Sequence, residues 1–339
     1  MSESFQPAEN ATEPIVCTRL DNFKIRAVVN FWNSCCYPHN RRSGITIDVL
    51  ERQVFAKPFF DPNGFIIAWK GNKIVGLAHA SFGFTDDYSA VDYSQGIIPL
   101  ICYNDAPDVD AVLDALIVSC ERYLVSKGAT RIQIGTTYPH APFYLGLFHS
   151  SDLSGVDLGE SLLTSAASRH GYSITSSKSH FRRDLDNLDW ASSSEFSQLR
   201  QRFSIQMEYC PTMSRWGEAI AMNGLVWSRF SLVELGQGVI NAQRPAVQCA
   251  LWVIDEDPET EMIAVGLSQC QVNPEYRGQR LGLFILSEAI RRLVDQQVER
   301  VEVQVPDEWR SLITSLSSHG FELFAHSALY SKNITSRIE

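Results

Sequence analysis

The spacing of apolar residues in the first half of the chain predicts a definite order of strands and helices. The strand-like runs GFIIAWK and KIVGLAHASF meet at Gly71-Asn72, a pair that tolerates positive φ and therefore predicts a hairpin turn. The predicted elements are a strand at 15–19, helices at 21–33 and 48–56, the hairpin at 64–82, a strand at 96–103, a helix at 109–127 and a strand at 131–135.

The second half repeats this order. Residues 122–134 align without a gap on residues 291–303, which favours an internal repeat. The predicted elements are strands at 225–235, 246–255 and 262–272, a helix at 281–297, a strand at 300–305, a helix at 307–318 and closing strands at 321–324 and 328–332. The polar stretch 186–196 separates the halves, so we expect a disordered tail at 1–14 and domains at 15–188 and 189–339.

The length and net charge of the chain favour two domains and disfavour some classes of binding partner. A chain of 339 residues is long for one compact domain, which also favours two. The net charge of −10 opposes binding to nucleic acid or anionic membranes, and neither partner is expected. No spanning apolar window and no signal-peptide pattern occur, which predicts a cytoplasmic protein. The cysteines form no CxxC pair and HExxH is absent, so no metal site is expected.

The stretch QVNPEYRGQRLG, residues 271–282, lies between an apolar strand and an apolar helix. A helix N-terminus offers free N–H groups and a positive dipole end, and glycine lets an anion approach closely. Arg277 and Arg280 would add charge-assisted hydrogen bonds. No GxxxxGK[ST] or GxGxxG pattern occurs. The loop is therefore interpreted as a diphosphate cradle, with a solvated basic turn as the alternative.

This loop resembles the acyl-CoA loop of the GNAT (GCN5-related) N-acetyltransferases, through VNPEYRG at 272–278 and the spacing of Arg277 and Gly282. The family pattern is Gln or Arg, any two residues, Gly, any residue, then Gly or Ala, and Arg280 replaces its middle glycine. The resemblance covers the chain from about residue 203 and implies acetyl-CoA as acyl donor. The residues expected to contact this cofactor are Cys270, Val272, Arg277, Gly278, Gln279, Arg280, Leu281 and Gly282.

The resemblance also implies a fold. We expect an α/β (α+β) protein of two tandem GNAT-like domains, each a mixed, mostly antiparallel sheet flanked by helices, similar to mycothiol synthase-like proteins. The repeat places Asp108 and Asp110 where the first half would need a phosphate loop. Like charges there would repel a diphosphate, so the first half is expected not to bind CoA in the usual way.

For the reaction that the resemblance implies, an amine attacks a thioester and a base removes its proton. Glu302 is the candidate base, because it lies on a central strand where burial would raise its pKa. The alternative is a structural arrangement of Arg300 and Glu302 with surface groups. Glu261 and Asp307 are weaker candidates, and a substrate-assisted route is also open.

The family's usual acid, a tyrosine, falls on Leu316, and an often-found asparagine falls on Trp309, so both side chains are missing. Ser315, Ser317 and His319 are either substitutes or plain helix-surface residues, and His319 could equally cap the helix end.

The aromatic segment 142–156 is extra relative to the second half. It is interpreted either as a lid that walls an acceptor pocket with Phe143, Tyr144 and Phe148, or as packing between the domains.

These features favour an acyl-CoA-dependent N-acyltransferase, most simply one that transfers acetyl to an amine of a small molecule or peptide, with CoA in the second domain. The alternative is a catalytically inactive acyl-CoA sensor or interaction protein, favoured by Leu316 and Arg280. A tandem transferase that uses charged tRNA is disfavoured by the acidic balance and by the CoA loop. The acceptor, the acyl chain and the oligomeric state are not defined by the sequence, although sheet edges in this fold often pair.

Overall fold

The computed structural model describes residues 13–35, 44–137, 140, 142–147, 155–185, 196–236, 244–256 and 263–334. The tail predicted at 1–14 lies mostly outside these residues, and so does the predicted domain boundary between 188 and 189. Within the described ranges, no helix is both long and apolar enough to cross a membrane.

The elements of the first half follow the predicted order. They are β1 (Ile15–Arg19), α1 (Ile25–Ser34), α2 (Ile47–Leu50), β2 (Phe65–Lys70), β3 (Lys73–Phe84), β4 (Val91–Tyr103), α3 (Val109–Ser126), β5 (Arg131–Ile134), β6 (Val156–Asp157), α4 (Ser161–Arg169) and β7 (Ser173–Asp184). A π-helical turn at Glu51–Phe55 extends α2. β4 begins earlier than predicted, and β6, α4 and β7 were not predicted.

The second half is built in the same way. Its elements are α5 (Ser197–Arg202), β8 (Phe203–Tyr209), α6 (Trp216–Met222), β9 (Trp227–Glu234), β10 (Val247–Glu256), β11 (Ile263–Val272), α7 (Leu281–Val294), β12 (Arg300–Pro306), α8 (Arg310–Ser318) and β13 (Glu322–Asn333). The two predicted closing strands form one strand, β13, with bulges at Leu323/Ala325 and Leu329/Tyr330. α5, β8 and α6 were not predicted.

The strands form one continuous sheet in the order β1-β2-β3-β4-β5-β13-β7-β12-β11-β10-β9-β8, with β6 paired to β13. Among the described strands, β4–β5 and β11–β12 are the parallel pairs, and the others are antiparallel. The fold class is confirmed, but the two halves share a single sheet instead of each having its own.

The sharing arises because the halves exchange their last strands. β7, from the first half, pairs with β12 along the whole of Arg300–Pro306. β13, from the second half, pairs with β5 from Tyr330↔Ile134 to Asn333↔Arg131. β7 and β13 also pair with each other at the centre. Each half therefore lacks a central strand unless the other half is present.

Three apolar clusters fill the molecule. One packs α3 and α4 on the first half of the sheet, and one packs α7 on the second half. The third lies on the opposite face and joins α1 and α2 with β10 of the second half, for example Trp32 with Trp252. The halves are thus joined by an apolar core as well as by strand pairing.

Candidate functional site

A wedge opens in the second half of the sheet where β11 and β12 separate. These parallel strands pair from Ala264↔Arg300 to Leu267↔Val303. Beyond that point, β11 continues along β10 to Val272, whereas β12 continues along β7 to Pro306. Backbone groups of 268–272 and 304–306 therefore face one another without pairing, and such groups can bind a chain that contains amides.

β11 is also bulged beside the wedge. Ala250 of β10 lies opposite Ser268, but Gln248 lies opposite Gln271, so β11 carries an extra residue between them. β4 has the same irregularity in the first half, where β3 shifts register between His79 and Ser81. Bulges redirect backbone groups and are common beside active sites.

The predicted loop leads from the open end of the wedge to the start of α7. The Asn273 side chain accepts a hydrogen bond from Glu275 N at 3.3 Å and so caps a short 3-10 turn. Gly278 then adopts φ 75° and Arg280 adopts φ 60°, which reverses the chain into Leu281. The first N–H groups of α7 have no partner within the helix and carry the positive end of its dipole.

The loop is held by residues that the sequence analysis missed. Glu234, at the end of β9, accepts hydrogen bonds from Tyr276 Oη at 2.9 Å and from Arg202 Nε at 2.5 Å. Arg202 also donates to Gln279 Oε1 at 3.0 Å, and Phe203 contacts the Tyr276 ring edge to face. The hydrogen bond from Arg202, followed by that from Tyr276, lowers the pKa of Glu234. Because Arg202, Glu234 and Tyr276 lie far apart in the sequence, no short sequence motif could predict that they form a hydrogen-bonded group.

The predicted cofactor-binding residues divide into two groups. Arg277, Gly278 and Arg280 are exposed at the loop surface, and a Cβ on Gly278 would meet no atom within 4 Å. Gln279 is half-buried and accepts the hydrogen bond from Arg202. Leu281 is buried in the α7 core, so only its backbone can face a ligand.

The remaining three predicted positions lie where α7 starts. A Cβ on Gly282 would lie 3.7 Å from Val272 Cγ2 and 3.9 Å from Cys270 Sγ. The side chains of Cys270 and Val272 thus reach toward the first turn of α7. Burial raises the pKa of the Cys270 thiol to about 11, which keeps it protonated at neutral pH.

Arg280 takes the left-handed conformation at the position where the family pattern has glycine. For a residue with a Cβ this conformation costs about 1 kcal/mol. Arg280→Gly is therefore expected to raise the free energy of unfolding by up to about 1 kcal/mol, measured by urea denaturation.

Gln297, at φ 63° after α7, supplies the matched variant. Gln297→Gly should give a similar gain far from the loop, whereas Arg277→Gly should give none because Arg277 has φ −66°. A loss of stability in Arg280→Gly would mean that the arginine side chain offsets its backbone strain.

Glu302 lies at the closed end of the wedge. It is 5% exposed, and it stands opposite Gly266 on β11 and Arg182 on β7. Val301, Val303 and Val305 pack in the α7 cluster, so Glu302 and Gln304 point to the opposite face of the sheet. Arg300 Nε donates to Asp184 at 2.7 Å.

The other catalytic candidates occupy different surroundings. Leu316 is in the core, and Trp309 is 51% exposed. His319 Nδ1 lies 2.7 Å from the carbonyl oxygen of Ser315, so His319 caps the end of α8. Asp307 accepts hydrogen bonds from Ser177 and Ser179; burial raises its pKa, but these bonds outweigh that effect and hold it below the usual range. Glu261 lies outside the described residues.

The N-terminus of α3, in the first half, carries acidic side chains where that of α7 carries arginine and glycine. Asp108 stands at the N-cap of α3, the position that Arg280 occupies before α7, and its carboxylate is 2.7 Å from Lys70 Nζ. Asp110, on the first turn, lies 2.9 Å from Arg169 Nη2. Two ion-paired carboxylates thus replace the arginine and glycine of the second half.

The extra segment of the first half packs between the halves where it is described. Phe143 and Tyr144 are fully buried in the cluster that contains residues of both halves. A Cβ on Gly146 would lie 2.8 Å from Leu225 Cδ2. Residues 142–147 therefore serve as interface packing, while Phe148 lies outside the described residues.

No protein-family model matches the sequence. No curated protein matches it at a significant level. Among the described residues, no three His, Cys, Asp or Glu side chains are grouped to hold a metal ion.

Solved structures do match the fold. A tandem GNAT protein from the clavulanic acid biosynthesis pathway has a TM-score of 0.65 at 12% identity, over 94% of this chain and 98% of that chain. A GCN5-related N-acetyltransferase from Sphaerobacter thermophilus has a TM-score of 0.61 at 12% identity, over 96% and 97%. The glucosamine N-acetyltransferase region of a fungal GH3 β-N-acetylglucosaminidase has a TM-score of 0.63 at 14% identity, over 97% of this chain and 40% of that one. The chain has the tandem fold of the GCN5-related N-acetyltransferases.

Proposed function

We propose that the protein is an acyl-CoA-dependent N-acyltransferase that binds its acyl-CoA, most simply acetyl-CoA, in the wedge of the second half. The observation that carries this proposal is the wedge between β11 and β12, which opens toward the N-terminus of α7. The wedge offers unpaired strand edges to the amides of pantetheine, and α7 offers N–H groups to the diphosphate.

The residues around the helix start fit an acyl-CoA. Gly278 leaves open space at the loop, and Arg277 and Arg280 are exposed cations beside it. The backbone N–H groups of 281–283 would bind the diphosphate, and the two arginines would add charge. Cys270 and Val272 would contribute through the backbone of β11.

The reaction follows from the thioester. An amine attacks the acyl carbon, an amide forms and CoA departs as a thiol, which requires a group that takes the amine proton. Glu302 is the proposed base, because it is a buried carboxylate at the closed end of the wedge. Since Leu316 replaces the family's tyrosine, we propose that no tyrosine hydroxyl protonates the departing thiolate of CoA.

We propose that the first half does not bind acyl-CoA. The carboxylates of Asp108 and Asp110 would face the diphosphate at the start of α3, and each is already ion-paired. Its contribution is structural and, as argued below, catalytic.

The acceptor is proposed to be an amine of a small molecule or peptide. Glucosamine is a rational first member of a test panel, since one structure with this fold is described as a glucosamine N-acetyltransferase region. Peptide N-termini and lysine side chains complete the panel.

The test is a calorimetric titration with acetyl-CoA. The wild-type protein is expected to bind one molecule per chain, and Gly282→Glu to weaken binding at least about 30-fold, because its carboxylate would lie at the diphosphate site. The space beside Gly282 accepts a Cβ in ordinary contact, so the variant should fold.

Asp110→Asn, on the corresponding turn of α3, is the matched control and should leave binding unchanged. Two sites per chain would contradict the assignment to the second half. No binding by the wild-type protein would leave the loop as a basic surface turn.

An acyl-CoA sensor without turnover is the second candidate function. It is favoured by the buried Leu316 at the tyrosine position and by Arg280 at the glycine position. A sensor binds acetyl-CoA in the titration but releases no CoA with any amine of the panel, which separates it from a transferase.

A further inference from the structure

Strand exchange brings a histidine of the first half to the acyl site proposed in the second half. His180, on β7, stands directly opposite Gln304 of β12. Gln304 is the first residue of β12 beyond its last pair with β11, so it borders the wedge. Adjacent strands are about 4.8 Å apart, which places His180 one strand from the point where the wedge opens.

His180 points to the face of the sheet opposite α7. Residues directly opposite each other on antiparallel strands share a face, so His180 points with Gln304, away from α7. Glu302 shares this face by alternation along β12. His180, Gln304 and Glu302 therefore form one polar group on the side of the sheet opposite α7, where His180 and Glu302 are buried.

The hydrogen bonding of His180 leaves one ring nitrogen for a ligand. His180 is 1% exposed, and its Nε2 lies 2.7 Å from Ser327 Oγ on β13. Its buried Nδ1 has no hydrogen-bond partner among the described residues. A buried polar atom without a partner costs about 1–3 kcal/mol, and a bound acceptor would remove that cost.

The ring of His180 is uncharged before an acceptor binds. Burial, followed by the nearby Lys178 and His326 side chains, lowers the pKa of His180 to about 3, against the opposing effect of Asp307. The imidazole is therefore neutral at pH 7. With its hydrogen on Nε2, the ring donates to Ser327 and keeps the Nδ1 lone pair free to accept.

We propose that His180 accepts the proton of the acceptor amine in the second-half site, a role that rests on the acyl transfer proposed above. The amine nitrogen bonds to the acyl carbon, and its proton passes to Nδ1. The carbon–sulfur bond then breaks, and the thiolate leaves with that proton as a thiol, which restores the neutral imidazole. This assigns to His180 the proton-accepting role given above to Glu302, which lies on the same face of the sheet and is the alternative base.

The test measures CoA release by chromatography, with acetyl-CoA and the amine panel beginning with glucosamine. His180→Gly is expected to lower kcat about 100-fold or more, the contribution typical of a general base. Acetyl-CoA affinity should change less than about twofold, and free imidazole should restore at least about a tenth of kcat, because a truly catalytic ring can be supplied from solution. A merely structural histidine would not be rescued in this way.

Two further variants keep the test independent of folding. His180→Gln preserves side-chain volume and should lose activity without unfolding. His79→Gln is the matched control: His79 is equally buried, it bonds to Tyr144 through Nδ1 at 2.9 Å, and it lies on β3 of the first half. It should keep kcat within about threefold, since it lies in no part of the proposed mechanism.

Each outcome decides a different question. Wild-type turnover with an active His180→Gly variant would overturn the role of His180 and leave the transferase function intact. Acetyl-CoA binding without turnover with any amine would overturn both the transferase and the role of His180, but not CoA binding. Absence of acetyl-CoA binding would overturn the proposed function itself.

Discussion

A chain that begins at residue 189 is expected to yield no folded protein when produced alone. It would lack β7, which pairs with all of β12, and its own β13 would have no β5 to pair with. Each backbone hydrogen bond contributes about 1 kcal/mol net, and a typical domain is stable by only about 5–15 kcal/mol. Losing the β7–β12, β7–β13 and β5–β13 ladders, with the edges of β12 and β13 left exposed, therefore exceeds what the remaining core can offset.

The measurement is soluble yield and circular dichroism of three samples: residues 189–339 alone, residues 1–188 alone, and both fragments produced together. The fragments produced together are expected to reassemble, since β7 and β13 can still exchange without a covalent link. A cooperative unfolding transition for residues 189–339 alone would contradict this and would make the second half an independent domain.

Lys57→Met is expected to lower the free energy of unfolding by about 3 kcal/mol or more. Lys57, in the turn after α2, is 3% exposed and reaches the end of α6 in the other half. Its Nζ donates to the carbonyl oxygens of Ile220 at 2.6 Å, Ala221 at 3.3 Å and Asn223 at 2.8 Å.

The carbonyl of Ile220 also accepts from Asn223 N at 3.2 Å, but methionine would remove the ammonium donor from all three carbonyls at this helix end. Burial lowers the pKa of Lys57 to about 8, which leaves the ammonium charged at pH 7 and favourably placed at the negative end of the helix dipole.

Urea denaturation followed by tryptophan fluorescence gives the change in stability. Lys127→Met is the control, because the Lys127 side chain is 46% exposed and its 3.3 Å pair with Asp61 is worth less than about 1 kcal/mol. Lys127 Nζ also lies 5.7 Å from the Tyr123 ring. A loss below about 1 kcal/mol in Lys57→Met would mean that water replaces the ammonium at the end of α6.

The repeat and the loop could be predicted from sequence because both are local. Strand–helix order follows from apolar spacing over short windows, and the turn at Gly71-Asn72 and the loop before α7 depend on neighbouring residues. The prediction of a tandem GNAT fold is confirmed on this basis. The cofactor residues at 270–282 and the base Glu302 stay predictions, which the titration and turnover measurements above will test.

β7 could not be predicted because its sequence, SITSSKSHFRRD, has no apolar alternation. Its strand conformation comes from pairing with β12 on one edge and with β13 on the other. Both partners are distant in sequence, so the spacing of apolar residues within β7 does not predict either contact. Glu234, Tyr276 and Arg202 were missed for the same reason, since a hydrogen-bonded group drawn from three elements has no sequence spacing.

The sequence by itself determined the order of the elements other than β6, α4, β7, α5, β8 and α6, the internal repeat, and the arginine–glycine loop before an apolar helix. Each of these depends on residues close together in the chain. The tertiary structure alone decided that the halves exchange β7 and β13, and thereby that His180 of the first half lies beside Gln304 and Glu302 of the second. The physical reason is that a central strand is held in register by the strands on both sides of it. For β7 and β13, those neighbouring strands come from the other half of the chain.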